Sequence, residues 1–141
     1  MISEKQKQQA NFFKSLHQKG NMFVIPNAWS VGSAYIFEKE GFEAVATSSA
    51  GIAYNLGYPD GEDISFEDLL YVVEKMTSRL NIPVSVDFER GYSEDPKQVK
   101  ENAKQLLLKG AVGFNIEDGL PDGTLSSIDF QLEKIKALIE L

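Results

Sequence analysis

Short apolar runs alternate with helical stretches four times along this chain, and that alternation constrains the fold more than any other feature. The runs lie at residues 22–25, 44–47, 84–88 and 112–116. Each is too short for a helix and nearly continuous in apolar side chains, as expected of strands covered on both faces. The stretches between them carry helix signals. A leading helix is predicted over 3–19, with Phe12, Phe13 and Leu16 inward and Gly20 as its stop. Ser30 caps a second helix through Glu40, and Gly41 ends it. Ser65 opens a third, with Leu69, Leu70, Val72, Val73, Met76 and Leu80 at helical spacing. Asp95-Pro96 starts a fourth that runs to Lys109, and a last helix covers 127–141. Between the second run and Ser65 the sequence reads as a long loop. Strands alternating with helices predict an α/β fold with a parallel sheet and right-handed crossovers. The expectation is a single domain over residues 1–141: a parallel (βα)4 unit behind a leading N-terminal helix.

Two of the runs end in acid. Val84-Ser85-Val86-Asp87-Phe88-Glu89-Arg90-Gly91-Tyr92 is one, and Val112-Gly113-Phe114-Asn115-Ile116-Glu117-Asp118-Gly119 is the other. In parallel α/β folds, ligands gather at the carboxyl ends of strands. Residues two apart on a strand share a face, which aims Asp87 and Glu89 the same way. Converging carboxylates repel unless a cation lies between them, and oxygen donors suit a hard divalent ion such as Mg2+. Asp87, Glu89 and Glu117 are therefore the candidate metal ligands; the alternative is solvated acids at the starts of loops.

Other residues carry two readings each. Asp60 sits in Pro59-Asp60-Gly61, which is also ordinary turn chemistry. Ser48, Ser49 and Gly51 follow the second run and could hold a carboxylate or phosphoryl group on hydroxyls and backbone amides, or form a plain Ser/Thr turn. Arg90 is an anion partner or a surface charge. Asn115 reaches the site or packs inside. Trp29 is core or pocket wall, and His17, on the leading helix, is a bystander.

Composition narrows the classes. The 141 residues are 43% hydrophobic, with net charge −7 and no cysteine. Cysteine nucleophiles, thiolate metal sites and disulfides are excluded. Lys and Arg are scattered, which argues against a nucleic-acid partner. No apolar run approaches the ~18 residues of a membrane span, and the polar N-terminus carries no signal peptide, so a cytoplasmic protein is expected.

Five stretches together resemble the phosphoenolpyruvate mutase/isocitrate lyase superfamily. They are Pro26-Asn27-Ala28-Trp29, Thr47-Ser48-Ser49-Ala50-Gly51, Leu56-Gly57-Tyr58-Pro59-Asp60-Gly61-Glu62, Val86-Asp87-Phe88-Glu89-Arg90-Gly91-Tyr92 and Asn115-Ile116-Glu117-Asp118-Gly119. The resemblance implies a TIM-type (βα)8 barrel acting on a small α-keto or α-hydroxy carboxylic acid. Such enzymes form or cleave C–C or P–C bonds through an enolate-like intermediate on Mg2+, with Mn2+ as an alternative ion. It further implies that Asp87 ligates the metal directly and that Glu89 and Glu117 help hold it, partly through water. Asp60 then lies near the reacting group, and Ser48 belongs to the substrate-carboxylate turn, with Ser49, Gly51, Trp29, Arg90 and Asn115 as further substrate-binding candidates. The lyase branch carries a catalytic cysteine after the fourth strand. Here that loop reads Gly119-Leu120-Pro121-Asp122-Gly123-Thr124-Leu125, closer to mutase-like members.

An eight-fold barrel typically needs ~250 residues. The chain thus reads as the N-terminal half of one. A half barrel would expose two strand edges and an apolar interior. Self-association that closes the barrel is the expectation, which makes the protein a homo-oligomer. The alternatives are an open flavodoxin-like sheet, and a catalytically incomplete fragment or scaffold that retains the fold.

Overall fold

The structure, a computed structural model, describes residues 2–18, 20 and 22–141. The elements in chain order are α1 (Glu4–Leu16), β1 (Asn27–Ala28), α2 (Val31–Lys39), β2 (Val45–Thr47), α3 (Ser49–Leu56), α4 (Phe66–Arg79), β3 (Val84–Asp87), α5 (Pro96–Leu108), β4 (Gly113–Asn115) and α6 (Ile128–Ile139). The four strands form one sheet in the order β1-β2-β3-β4, and every neighbouring pair is parallel. Strand order equal to chain order means that every crossover steps the same way, as in a (βα)8 barrel. A flavodoxin-like sheet would reverse after its first strand. The fold is the (βα)4 half of a TIM-type barrel with a leading helix.

Alternation along the strands decides which face is covered. Val45, Val84 and Val86 are buried against the helices, whereas Ala46 and Ser85 turn to the other face. One core gathers Ala28, Ala34, Val45, Met76, Leu80 and Val84. A second joins Leu69, Val73, Val86, Phe88, Val99 and Leu106. The register aligns Asn27, Ala46, Ser85 and Gly113 in one row on the opposite face. That inner row is small and polar, which corrects the expected apolar interior: the valines all fall on the helix side. Phe13 of α1 covers part of it, since a Cβ on Gly113 would lie 3.3 Å from the Phe13 ring.

Helix α1 seals the amino end of the sheet through backbone carbonyls. Gln6 Nε2 donates to Leu107 O at 2.6 Å and to Ala111 O at 2.8 Å, in the turn before β4. Lys5 Nζ donates to Leu80 O at 2.9 Å, and Gln9 Nε2 to Asn81 O at 2.9 Å, in the turn before β3. Function is left to the carboxyl end.

Three boundaries differ from the sequence reading. The first strand is Asn27–Ala28, not 22–25: Met22 is 98% exposed, and the ladder to β2 begins only where Ala46 N donates to Pro26 O. Residues 49–56 form a helix rather than a loop. Ser48 caps it by accepting from Gly51 N, and Gly57 closes it in the left-handed region. Helix α1 ends at Leu16, and Lys19, the expected last residue, lies outside the described residues. Among the described residues no helix is long and apolar enough to cross a membrane.

Replacing Gln6 with Met keeps the shape and removes the side-chain donor to Ala111 O and Leu107 O, of which Leu107 O keeps the Gly110 amide. Urea unfolding is expected to show a loss of roughly 1–3 kcal/mol; an unchanged midpoint would show that the clamp contributes nothing.

Candidate active site

Strand β3 delivers Asp87 to the carboxyl end of the sheet, and both neighbouring strands fix its carboxylate. Oδ2 accepts from Ser49 N at 3.1 Å and from Ser49 Oγ at 2.7 Å, at the start of α3 after β2. Oδ1 accepts from Asn115 Nδ2 at 2.9 Å, from β4. The Asp87 amide is held too, donating to Thr47 Oγ1 at 2.8 Å. Of its two readings, Asn115 takes the one that reaches the site.

Glu89 arrives by a different route from the one expected. The strand ends at Asp87, and Glu89 lies in a turn with φ 51, so strand alternation does not aim it. Its side chain is nonetheless buried, 7% exposed. Burial first, then the charges of Asp60, Asp87 and Glu117, push its carboxyl up to about 7, against the Ser49 hydrogen bond. Glu117 is also raised, by burial and then by Asp87, Asp60, Asp118 and Glu62. Its amide donates to Glu89 O at 2.7 Å, which joins the two acid-bearing loops. Asp60, Glu89, Arg90 and Glu117 line one cleft of about 360 Å³, walled by Gly119, Leu120 and Pro121. In the same turn, Phe88 stacks with Tyr92 and meets Phe114 edge-on. Among the described residues no three His, Cys, Asp or Glu side chains lie close enough together to hold a metal ion as they stand.

Arg90 is an anion partner, but its anion is internal. Its guanidinium pairs with Glu62 at 2.9 Å, the two side chains 16% and 12% exposed. Glu62 Oε1 also accepts from the Arg90 and Tyr92 amides at 2.9 and 2.8 Å. Arg90 thus lines the cleft while paired with Glu62. The pair ties the Asp60 loop to the Glu89 loop. Among the described residues the only non-glycine positions with left-handed backbone are Glu62, Glu89 and Tyr92, all at this rim. Such backbone persists only where surroundings enforce it. Gly91 shares the turn at φ +99, and a Cβ there would strike Val99 at 2.6 Å.

The remaining candidates lie at and beside α3. The Ser48 hydroxyl is taken up as the cap of α3. Gly51 lets α3 approach β1, since a Cβ would lie 2.7 Å from the Trp29 Cβ. Trp29, Gly51, Tyr54 and Asn55 line a separate shallow depression, so Trp29 does not wall the acid cleft. Sequence reasoning missed two residues. Glu62 hides in a turn motif, and its signal was the glutamate following Pro-Asp-Gly. Lys134 is buried on α6, 1% exposed, and donates to Arg90 O at 3.1 Å; it looks like any surface lysine in the sequence.

The sequence profile described as phosphoenolpyruvate phosphomutase matches residues 13–141. The chain belongs to the phosphoenolpyruvate phosphomutase family. It is 39% identical over 106 residues to an uncharacterized Mycobacterium tuberculosis protein, covering 75% of this chain and 40% of that one. It is 24% identical over 137 residues to Escherichia coli 2-methylisocitrate lyase, covering 91% of this chain and 46% of that enzyme. Among solved structures, a Burkholderia cenocepacia protein provisionally named a lyase/mutase superposes with TM-score 0.92 at 34% identity, over 97% of this chain and 50% of that one. The chain thus spans about half the length, or less, of the relatives it matches.

The raised Glu89 carboxyl has a sign that can be measured. Between its ordinary 4.5 and about 7 the folded state holds a proton that the unfolded state has released. Stability therefore falls as pH rises through that window, and the loss is complete above it. Glu89→Gln is expected to raise metal-free unfolding free energy by on the order of 2 kcal/mol at about pH 8, and by nothing near about pH 4. An equal effect at both pH values would refute the assignment.

Proposed function

We propose that this chain carries the metal-binding half of a lyase- or phosphonomutase-type enzyme that acts on a small α-keto or α-hydroxy carboxylic acid, forming or cleaving a C–C or P–C bond. The observation that carries the reading is the convergence of Asp60, Asp87, Glu89 and Glu117 at one end of the sheet, with Glu89 raised to about 7 first by burial and then by the charges of the other three. Arg90, the cation lining the same cleft, is bonded to Glu62.

The donor set fits Mg2+, with Mn2+ as an alternative. It is all oxygen, and Asp87 Oδ1, which accepts a single bond, keeps lone-pair capacity for an ion. Acids too far apart to enclose a bare ion suit Mg2+, which gives up its waters reluctantly and is often held through them. Asp87, Glu89 and Glu117 would hold it. Bound there, the ion supplies Lewis-acid stabilisation of negative charge developing on a substrate carbonyl oxygen. Ser49 and Asn115 hold the Asp87 carboxylate in one orientation. The start of α3, after Ser48, presents a helix N-terminus suited to a substrate carboxylate. Asp60 faces the cleft from the loop before α4, placed to act on the reacting group. The turn bounded by the Gly119–Leu125 bridge walls the cleft and bears no cysteine, which favours mutase-like chemistry over a cysteine acid/base.

Isothermal titration with Mg2+ and oxalate, an enolate mimic, tests this. Oxalate is expected to bind only with Mg2+ present, and Asp87→Ala to abolish the heat. A folded chain that shows no heat at millimolar ligand would leave a scaffold that only retains the fold.

Self-association belongs to the same proposal. Strands β1 and β4 are the outer strands of the sheet, and an open edge invites pairing with another chain. Sedimentation at micromolar concentration is expected to give at least a dimer; a clean monomer with cooperative unfolding contradicts it.

A further inference from the structure

Helix α6 reaches into the site through backbone carbonyls, not through acids. Lys134 Nζ donates to Arg90 O at 3.1 Å, one residue beyond Glu89. Gln131 Nε2 donates to Glu117 O at 3.3 Å. The two are three apart, so they stack on one face of α6. Each thereby tethers one of the two acid-bearing loops, and the Glu117 amide closes the set on Glu89 O at 2.7 Å.

Lys134 is an unusual choice for this task. Its ammonium is buried, stands 5.2 Å from the Phe130 ring centroid, and burial lowers its pKa. A buried charge is costly unless its bonds are made, so its retention calls for a reason. The turn it grips supplies one. Residues 89–92 include three left-handed positions, Glu89, Gly91 and Tyr92. Glu62 holds the turn from the loop before α4, and Asn102 of α5 donates to Gly91 O at 3.0 Å. Lys134 is the third tether, and it holds the carbonyl of Arg90, the residue whose amide Glu62 holds. Helix α6 has contacts besides Lys134: Leu138 packs against the core, and Glu140 at its C-terminal cap pairs with Lys100 at 2.8 Å.

We propose that Lys134 is a positioning residue: by holding the Arg90 carbonyl it keeps the Glu89 turn in its left-handed course, and so sets the affinity of the acid cleft for a divalent cation. The inference rests on the metal reading above. Charge and geometry predict opposite signs, which makes the test sharp. Coulomb's law alone says that removing a positive charge near the cleft tightens cation binding. Positioning says that removal weakens it, as loss of residues supporting metal ligands does, by about tenfold or more.

The experiment is Lys134→Met in the full chain, with Mn2+ as probe and free ion counted by its EPR signal. A second arm, without metal, follows amide hydrogen exchange. Mn2+ binding is expected to weaken about tenfold. Exchange is expected to quicken at Arg90, Tyr92 and Glu117 while Val84 and Val86 stay as they were. Unchanged or tighter Mn2+ binding, or unchanged exchange at those three amides, overturns the inference. Should the variant not fold, Gln131→Leu carries the test through the Glu117 carbonyl: weaker Mn2+ binding supports it, and unchanged binding overturns it. A wild-type chain that binds no Mn2+ contradicts the metal reading itself, and with it the claim on affinity. The exchange arm, which needs no metal, then decides the positioning role alone.

Discussion

The Asp87 carboxylate is held by the Ser49 amide and hydroxyl on one side and by Asn115 on the other. Those bonds join the ends of β2, β3 and β4 at one point. They also keep an acid fixed amid other acids without a cation of its own. Burial first, and then the neighbouring acids, raise the carboxyls of Glu89 and Glu117, which therefore bind protons more readily. The rest of the carboxyl end is built to keep this group together: the Glu62–Arg90 pair, the left-handed turn after Glu89, and the two tethers from α6.

The division of labour along the barrel axis follows from the same chain. At the amino end, α1 donates side-chain hydrogen bonds to carbonyls of the turns before β3 and β4. At the other end, the loops carry acids and end in a cleft. Stability and chemistry therefore sit at opposite ends of four short strands, as barrel enzymes arrange them.

Much of this was legible in the sequence, because strand ends and helix caps leave local signals. Ser30, Ser65 and Asp95 cap the helices they were expected to open. Asp87 and Glu117 close apolar runs, and the structure brings them to one end. The misses have physical causes. Helix α3 is short and made largely of small residues, including Gly51, so it shows no amphipathic period. The run at 22–25 is apolar but leaves Met22 and Val24 exposed, and pairing with β2 starts only at Pro26. Arg90, Glu62 and Lys134 could not be read because their meaning is long-range: a lysine 44 positions away grips the arginine carbonyl, and a glutamate 28 positions away pairs its guanidinium.

The central claim is that the acid-lined cleft is a divalent-cation site. Crystals of the chain grown with Mn2+ and oxalate, measured for anomalous scattering from manganese, test it most directly. The account predicts one strong peak in the cleft between Asp87, Glu89 and Glu117. An empty cleft in well-ordered crystals, or manganese bound only elsewhere on the surface, would contradict it.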